Sequence, residues 1–521
     1  MGRYLNHVDF NLFYLSLLLL ISLNQFNSVA SSNDTTTTGL SSSSSSSPST
    51  VKYLPGFSGP LPFHLETGFV SFIFIYSCWG VVFLYNQFCD IFTVTVLIIC
   101  MFVVIIVNRY ISVSSGNEDF PSNTNDGDED IELFYYFVKS ERKPEEDPLI
   151  FWFSGGPRCS SLTGLAFEIG PINIEIDGYV GGLPKLVLNR DSWTKIANIN
   201  FPDAPVYTGF SYSKSSPNLY IGDKGSSKSS YEFVIKWLNE HPEFKSNPLY
   251  IGGDSYAGKI VPVVVQYLIN DIETQKYPFL NLKGYLLGNP ISNRQLETNA
   301  GVPYAFGMGL LSYELFESMK ENCKGKYINF DLDNLNCLKD RQKFQECTSN
   351  INPPHISEDK YCGNLKQKPK QPIHNTRRSL SANAGVIASS EPLLPIPGCR
   401  EAIKKWIRCN IDVPYKKDVL SSVEYHKNIS TKLGYRALIY SGDHDFMVPH
   451  VSTEAWIRSL NLSIIDDWRP WLLDDQFAGY TRTYASGLTY ATVKGAGHTA
   501  PEFRPKECYA MFERWISHAP L

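Results

Sequence analysis

The most constraining feature of this 521-residue chain is a serine-bearing turn between a predicted strand and a predicted helix. The apolar run 249–251 leads into residues 253–257 (Gly-Asp-Ser-Tyr-Ala), and residues 261–269 have helical spacing. Such a Gly-x-Ser-x-Ala turn lifts a serine hydroxyl to the carboxyl end of a sheet, and its small residues avoid clashes. The simpler alternative is a turn whose serine merely caps the helix.

Two later segments favour a catalytic interpretation. A predicted strand at 435–440 is followed by Asp443 and Asp445, and a predicted strand at 490–493 is followed by a glycine-rich loop with His498. A serine, an acid and a histidine in this order, the acid and the histidine each on a loop after a strand, are typical of α/β-hydrolases. We therefore predict an α/β fold, the α/β-hydrolase fold, with a mostly parallel central sheet flanked by helices and an inserted helical cap.

Proton transfer assigns a role to each of these side chains. Ser255 is a weak nucleophile until His498 removes its proton, and Asp445 orients the imidazole and stabilises its cationic form. The tetrahedral oxyanion needs two backbone N–H donors. One is expected from Tyr256, the residue after the nucleophile, and the other from the glycine loop at residues 153–157.

Composition and charge exclude several classes of protein. Hydrophobic residues make up 43% of the chain and charged residues 19%, as in a globular protein of one large domain or two ordinary ones. The net charge of −5, without a basic face or motif, argues against a nucleic-acid partner. The sequence has no metal, nucleotide or flavin motif, so we expect no metal and no cofactor.

The amino-terminal sequence indicates the secretory pathway. Arg3, an apolar run and the small residues 28–30 predict a signal peptide at residues 1–30, with a buried amino-terminal helix as the alternative. The Ser/Thr-rich residues 31–50 have little to bury and are expected to be a disordered spacer. Eleven cysteines without a metal-ligand pattern indicate disulfides. N-glycosylation sequons begin at three residues: Asn33, Asn428 and Asn461.

An apolar insert at residues 71–117 does not fit this pattern. It is apolar enough for one membrane span, but one span after a signal peptide would leave the sequons and disulfide candidates in the cytosol. Residues 61–70 and 131–138 on either side are predicted to be neighbouring strands of one sheet. We therefore favour a translated intron or another gene-model error over a membrane span, and consider a membrane partner unlikely.

The ordered motifs resemble the serine carboxypeptidase family, peptidase family S10, and within it the plant serine carboxypeptidase-like proteins. The resemblance covers most of residues 51–70 and 130–521. Besides the three loops, it is carried by Gly-Gly-Pro at 155–157, Asp-Ala-Pro at 203–205, Gly-Phe-Ser-Tyr at 209–212 and Leu-Gly-Asn-Pro at 287–290. It implies a triad and two oxyanion donors: Ser255, Asp445 in preference to Asp443, and His498, with Gly156 and Tyr256.

The family divides into peptidases and acyltransferases. Peptidases typically carry Asn before Gly-Gly-Pro and Glu before the nucleophile, and these side chains, with a glutamate matching Glu168, hold the carboxylate of a peptide C-terminus. Here the two positions are Ser154 and Asp254, which resemble the plant acyltransferase branch. Those enzymes transfer an acyl group from a glucose ester to an alcohol or similar acceptor. We favour transfer in secondary metabolism, with peptide hydrolysis as the alternative, at an extracellular or vacuolar location.

The resemblance also implies disulfides and domain limits. The implied pairs are Cys159 with Cys409, Cys323 with Cys337, and Cys362 with Cys399. The implied hydrolase core comprises residues 51–70, 118–290 and 428–521, with a cap at 291–427. Within the cap, the basic, polar linker 366–390 is either an uncut surface loop or, as in related acyltransferases, a site of cleavage into two disulfide-linked chains.

Four departures from the family pattern raise a third hypothesis, that of an inactive relative. Arg158 and Tyr207 each replace a glycine, at positions where glycine can be needed for its backbone conformation. The insert is foreign to the family. Finally, a helical segment of about 25 residues is missing between Cys399 and Trp406, by comparison with the usual motif spacing.

Overall fold

A computed structural model of the chain describes residues 49–73, 130–175, 183–214, 221–328, 330–359 and 407–521. Several predictions concern residues outside these ranges. They are the signal peptide, Asn33, nearly all of the insert, the linker, the Cys362–Cys399 pair and the shortened cap segment.

In the described residues, nine strands precede the first α-helix, and strands and α-helices are interspersed from there on. The strands are β1 (Ser49–Val51), β2 (Leu65–Ile73), β3 (Asp130–Val138), β4 (Leu149–Phe153), β5 (Ile172–Glu175), β6 (Lys185–Leu188), β7 (Asn198–Pro202), β8 (Tyr212–Ser213), β9 (Ile221–Gly222), β10 (Leu249–Asp254), β11 (Leu282–Gly288), β12 (Tyr415–Lys416), β13 (Arg436–Gly442), β14 (Ile464–Leu473), β15 (Gln476–Tyr484) and β16 (Leu488–Val493). The α-helices are α1 (Asp223–Glu240), α2 (Ala257–Glu273), α3 (Arg294–Gly307), α4 (Tyr313–Cys323), α5 (Leu335–Thr348), α6 (Val423–Ser430), α7 (His450–Ser459), α8 (Ala500–Phe503) and α9 (Pro505–Ile516).

Within the described residues, twelve strands form one mixed sheet in the order β1-β2-β3-β7-β4-β10-β11-β13-β16-β15-β14, with β8 paired to β3. The six central strands, from β7 to β16, are parallel, and the strands on either side of them are antiparallel. Because parallel strands end at the same edge, the loops after β4, β10, β13 and β16 lie together.

Burial on both faces explains the sequence of the central strands. Every residue of β4, β10 and β16 is buried, since helices cover both faces of a parallel sheet. One face packs against α1 and α2, which contribute Trp237, Val264 and Leu268. The other packs against α9 and a short 3₁₀ turn, where Phe512 stacks on Trp193 with ring centroids 4.2 Å apart.

The predicted neighbouring strands beside the insert are confirmed as an antiparallel pair. The ladder runs from Leu65 opposite Val138 to Ile73 opposite Asp130, so the chain leaves and re-enters the sheet at paired positions. Two predicted boundaries were wrong. The strand β2 continues three residues into the segment assigned to the insert, and Ser49 and Thr50, assigned to the disordered spacer, form β1 against β2.

Residues 303–322 of the cap are divided between two helices, α3 and α4. The break falls between Gly307 and Tyr313, because Gly309 has φ +70° and the Ser312 hydroxyl accepts the amide of Leu315 at 3.3 Å to begin a new helix. A separate apolar cluster that includes Val302 and Met319 holds the two helices together. Among the helices of the described ranges, none is both long and apolar enough to cross a membrane.

Candidate active site

The turn after β10 places Ser255 at the carboxyl edge of the sheet. Ser255 has φ +54°, and its amide donates to the carbonyl of Gly288 at 2.9 Å. A Cβ on Gly253 would lie 2.3 Å from the carbonyl oxygen of Phe153, so only glycine fits there. The small residues of the turn therefore allow the close approach of β4 that the sequence motif indicated.

The three predicted triad residues, each on a different loop, form one hydrogen-bonded chain. The Nε2 atom of His498 lies 2.7 Å from the Oγ of Ser255, and its Nδ1 atom lies 2.8 Å from the Oδ2 of Asp445. Asp443, the alternative acid, instead accepts the amide of Gly495 at 2.6 Å. The geometry thus matches a nucleophile, a base and an acid that orients the base.

Asp445 is fully buried and held by its own set of donors. The side-chain amide of Asn289 donates to Oδ2 at 2.8 Å, and the amide of Met447 donates to Oδ1 at 2.7 Å. The Oδ1 atom of Asn289 in turn accepts the amide of Gly442 at 3.2 Å. The sequence analysis noted Asn289 in a motif but assigned it no role. Its position directly after β11, next to β13, was the available signal.

The electrostatics favour a proton on His498. Burial of the imidazole disfavours its charged form, but the adjacent Asp445 carboxylate outweighs burial and raises the pKa of His498 above its usual 6.5. Asp254 raises it further. The surroundings of His498 therefore favour its imidazolium form, as the triad predicted from the sequence requires.

The glycine loop packs directly on the serine turn. A Cβ on Gly155 would lie 2.6 Å from the amide nitrogen of Tyr256 and 2.7 Å from the Cβ of Ser255. The loop continues to Gly156, which has φ +114°. The two predicted oxyanion donors, the amides of Gly156 and Tyr256, therefore belong to segments in contact beside the nucleophile.

The glycine loop is anchored from two sides. A disulfide joins Cys159 to Cys409, and Asp203 accepts the Ser160 hydroxyl at 2.6 Å and the amide of Ser161 at 2.9 Å. Burial raises the pKa of Asp203 to about 7. A second disulfide joins Cys323 to Cys337 within the cap.

The predicted substrate-binding residues form a buried polar cluster beside the triad. The hydroxyl of Ser154, both carboxyl oxygens of Glu168 and the Oδ1 of Asp254 are buried and make no hydrogen bond of normal geometry to other described residues. Burial, together with the carboxylates of Asp254 and Glu502, raises the pKa of Glu168 well above its usual value, and burial raises that of Asp254 to about 6. Unpartnered buried oxygens of this kind are suited to hydrogen-bond a substrate.

Arg408 and Glu502 belong to the same cluster, and the sequence analysis gave neither a role. Burial lowers the pKa of Arg408, although the negative charges of the Glu502, Glu168 and Asp254 carboxylates act to raise it. The Nε atom of Arg408 donates to the hydroxyl of Thr163 at 3.4 Å. The expected bridge from Cys159 to Cys409 was the signal that could have located Arg408, since it brings residue 408 to the glycine loop.

The two departures from glycine have the backbone conformation that the sequence analysis anticipated. Arg158 has φ +68° and Tyr207 has φ +66°, a region that residues with a side chain rarely adopt. Both lie in loops next to the site, and Asn410 contacts both. The backbone amide of Asn410 donates to the carbonyl of Arg158 at 3.0 Å, and its side-chain amide donates to the carbonyl of Tyr207 at 2.9 Å.

The sequon residues Asn428 and Asn461 are exposed.

The sheet order and the loop geometry define the chain as an α/β-hydrolase, and the comparisons narrow this class. The family model for serine carboxypeptidases, peptidase family S10, matches residues 123–518, and the chain belongs to this family. It is 44% identical to serine carboxypeptidase-like 7 of Arabidopsis thaliana, over 91% of this chain and 94% of that protein. It is likewise 44% identical to serine carboxypeptidase-like 2 of the same plant, over 91% and 93%.

A solved structure supports the fold. The prohormone-processing carboxypeptidase Kex1(delta)p of Saccharomyces cerevisiae superimposes with a TM-score of 0.58 at 20% sequence identity, over 77% of this chain and 89% of that chain. At this identity the likeness concerns the fold alone. No group of three His, Cys, Asp or Glu side chains within the described ranges is arranged to hold a metal ion.

Proposed function

We propose that the protein is an acyltransferase that forms an acyl-enzyme on Ser255, taking the acyl group from a glucose ester and passing it to a hydroxyl-bearing acceptor. The observation that carries the proposal is the hydrogen-bonded chain from Ser255 through His498 to Asp445, with the glycine loop packed on the nucleophile. This constellation supports attack on an ester carbonyl.

The reaction uses the triad twice. As the Oγ of Ser255 attacks the ester carbonyl, Nε2 of His498 takes its proton, and the amides of Gly156 and Tyr256 stabilise the oxyanion. The bond to the glucose oxygen then breaks, and His498 returns the proton to that oxygen. In the second half, His498 removes the proton of the acceptor hydroxyl, the acceptor oxygen attacks the acyl carbonyl, and the proton goes back to Ser255.

The buried polar cluster supports an ester donor over a peptide. Ser154 and Asp254 are shorter than the Asn and Glu that hold a peptide carboxylate in family peptidases, so their contacts with that carboxylate would be lengthened. The unpartnered oxygens of Asp254 and Glu168 are hydrogen-bond acceptors, as the hydroxyl donors of a sugar require. A sugar ester therefore satisfies the cluster without adding a further negative charge to it.

Peptide hydrolysis is the second candidate, and the raised pKa values of this cluster favour it. At acidic pH, Asp254, whose pKa is about 6, and Glu168 would carry protons and could donate to a peptide carboxylate. Binding of the peptide carboxylate would therefore strengthen as the pH falls below about 6. Transfer from a neutral sugar ester would not require Asp254 and Glu168 to be protonated.

The experiment is active-site labelling of glycosylated, secreted protein with a fluorophosphonate, followed by assays of glucose esters with an alcohol acceptor and of blocked dipeptides. We expect labelling that Ser255→Ala abolishes and that Ser452→Ala, a buried serine on α7, leaves intact. Ester transfer without dipeptide hydrolysis would support the proposal, and the reverse would support the peptidase. Absence of labelling in folded protein would indicate an inactive relative.

We further propose a location in the secretory pathway, extracellular or vacuolar. The exposed sequon residues Asn428 and Asn461 and the two disulfides support it. Digestion of the plant-expressed protein with an N-glycosidase tests it, because an unglycosylated protein would not change its mobility.

A further inference from the structure

A small cavity adjoins the serine turn on the side of the glycine loop. Its walls include Ser154 and Gly155 of the loop, and Tyr256 and Ala257 of the segment that follows the nucleophile. Arg158 and Tyr415 form another wall. The cavity therefore shares its lining with both segments that would bind the oxyanion.

The guanidinium of Arg158 is buried in this wall, with the residue 1% exposed. Its Nη2 donates to the carbonyl of Pro414 at 3.0 Å, and its Cζ lies 5.4 Å from the ring centroid of Tyr415. The strand β12 holds this segment by pairing with β9, and the Tyr415 hydroxyl lies 3.0 Å from the Oγ of Ser226. The two remaining nitrogens, Nε and Nη1, have no hydrogen-bond partner among the described residues.

No described carboxylate balances this charge. Burial lowers the pKa of Arg158, and the titratable groups that act on it are the phenols of Tyr415 and Tyr207, which are neutral at physiological pH. An arginine does not lose its proton in a protein, so the cation remains. Leaving a buried charge unpaired is strongly destabilising.

The backbone adds a second cost at the same residue. Arg158 is held at φ +68°, a backbone conformation that is strained for a residue other than glycine. The Cys159–Cys409 disulfide and the hydrogen bond from the amide of Asn410 to the Arg158 carbonyl fix the conformation. A strained backbone and an unpaired buried cation next to a reactive serine are typical of a binding site.

We propose that Arg158 makes this cavity a carboxylate-binding pocket, in which the guanidinium holds the carboxylate of an anionic substrate next to the serine turn. The N–H groups of Nε and Nη1 point to different edges of the guanidinium plane, so the carboxylate accepts a charge-assisted hydrogen bond from one of them. It supplies the missing counter-charge and satisfies one of the two unpartnered nitrogens. The inference rests on the proposed function, in that the carboxylate belongs to an acyl group or an acceptor used at Ser255.

Binding is tested without turnover, with acetate as the probe and acetamide as its neutral isostere. The melting temperature of the full glycosylated chain carrying Ser255→Ala is followed at constant ionic strength as either compound is added. We expect acetate, but not acetamide, to raise it, since a ligand that binds only the folded state stabilises that state. In a second chain that also carries Arg158→Gln, the rise should be lost, because glutamine keeps the side-chain bulk and the strained backbone but not the charge.

Two further variants complete the binding experiment. Arg158→Lys keeps the charge without the planar guanidinium and should restore part of the acetate effect. Arg436→Gln removes a different half-buried arginine, one that donates to the carbonyl of Trp515, and should leave the acetate effect unchanged. An acetate effect that survives Arg158→Gln, or that acetamide reproduces, would overturn the proposal.

A second experiment, with substrates, determines whether the bound carboxylate belongs to the acyl group or to the acceptor. With Ser255 intact, 4-nitrophenyl hydrogen succinate is compared with 4-nitrophenyl butyrate, and a hydroxy-acid acceptor with a simple alcohol. We expect Arg158→Gln to reduce the preference for the charged partner in one of these pairs by about 10- to 100-fold, as for a lost charge-assisted bond. Acetate binding with no preference in either pair would overturn the assignment to a substrate. Failure of the proposed transfer reaction would leave the binding result standing.

Discussion

The side-chain amide of Asn289 donates to the Oδ2 atom of Asp445 at 2.8 Å, and that same oxygen lies 2.8 Å from the imidazole of His498. Two donors therefore converge on one carboxylate oxygen. A carboxylate held in this way has one orientation in which it can align the base. Asn289 is thus a candidate positioning residue for the predicted triad, and it directly follows β11, a strand whose loop holds none of the three predicted triad residues.

Asn289→Asp tests this arrangement, because aspartate has nearly the same shape but cannot donate from an ionised carboxylate. We expect the rate constant for fluorophosphonate labelling to fall by at least about tenfold and its acid limb to move to higher pH, since a second negative charge stabilises the protonated imidazole. Asn289→Ala should lower the rate without that upward movement. A purely structural role would lower the rate of both variants equally at every pH.

Asp254→Asn should move the acid limb of the pH profile of the labelling rate to lower pH, opposite to the change expected for Asn289→Asp. The neighbouring carboxylate of Asp254 raises the pKa of His498, which must be neutral to act as a base. Its loss should shift the limb to lower pH, by up to about one unit. Ser154→Ala, which removes a neutral group from the same cluster, serves as the control and should leave the limb in place.

Glu66→Gln should destabilise the fold in a manner that depends on pH. Burial would raise the pKa of Glu66, but hydrogen bonds from His241 and His64 outweigh it and lower the pKa from 4.5 to about 2. A carboxylate with a lowered pKa contributes stability above its unfolded pKa and loses it as the pH falls through the folded pKa. Allowing for partial exposure, we expect a loss of about 2 kcal/mol at pH 7.

Urea unfolding of both proteins at pH 7 and pH 3 measures this difference. The difference in the free energy of unfolding between wild type and Glu66→Gln should be smaller at pH 3 than at pH 7, because pH 3 lies between the folded and unfolded pKa values of Glu66. His241, whose pKa is raised, acts in the opposite direction and loses its contribution as the pH rises through that pKa. An equal difference in the free energy of unfolding at both pH values would contradict the lowered pKa of Glu66.

Arg158→Gly should increase stability while it abolishes the proposed carboxylate site. Glycine adopts φ +68° without strain, and the substitution also removes an unpaired buried charge. We expect the free energy of unfolding to rise by about 1 kcal/mol or more, measured by urea denaturation in the absence of carboxylates. A decrease would show that the bond to Pro414 and the packing on Tyr415 outweigh the two costs.

The positions of the loops that carry the candidate triad could be predicted from the sequence because each loop is encoded locally. A buried strand followed directly by Ser255, Asp445 or His498 places that side chain at one edge of a parallel sheet, whatever the rest of the chain does. The positive φ of Arg158 and Tyr207 was expected from the family pattern, in which each of the two residues replaces a glycine. These signals require no knowledge of distant contacts.

The polar environment of the site could not be predicted in the same way. Arg408 reaches the carboxylates of Glu168 and Asp254 from a segment more than 150 residues later, and only the disulfide beside it hints at this. The break between α3 and α4 depends on Gly309 and a local cap, which compete with an uninterrupted helical pattern. Such features follow from tertiary packing and not from periodicity.

The disulfide from Cys159 to Cys409 spans 250 residues and has a consequence for the way the active site is divided. The nucleophile and the glycine loop precede residue 360, whereas the acid and the base follow residue 406. A fragment that ends or begins between these positions can therefore hold only half of the catalytic machinery. If the chain were cut in this interval, the disulfide would covalently join two complementary polypeptides, which after reduction would be held only by noncovalent contacts such as the pairing of β11 with β13.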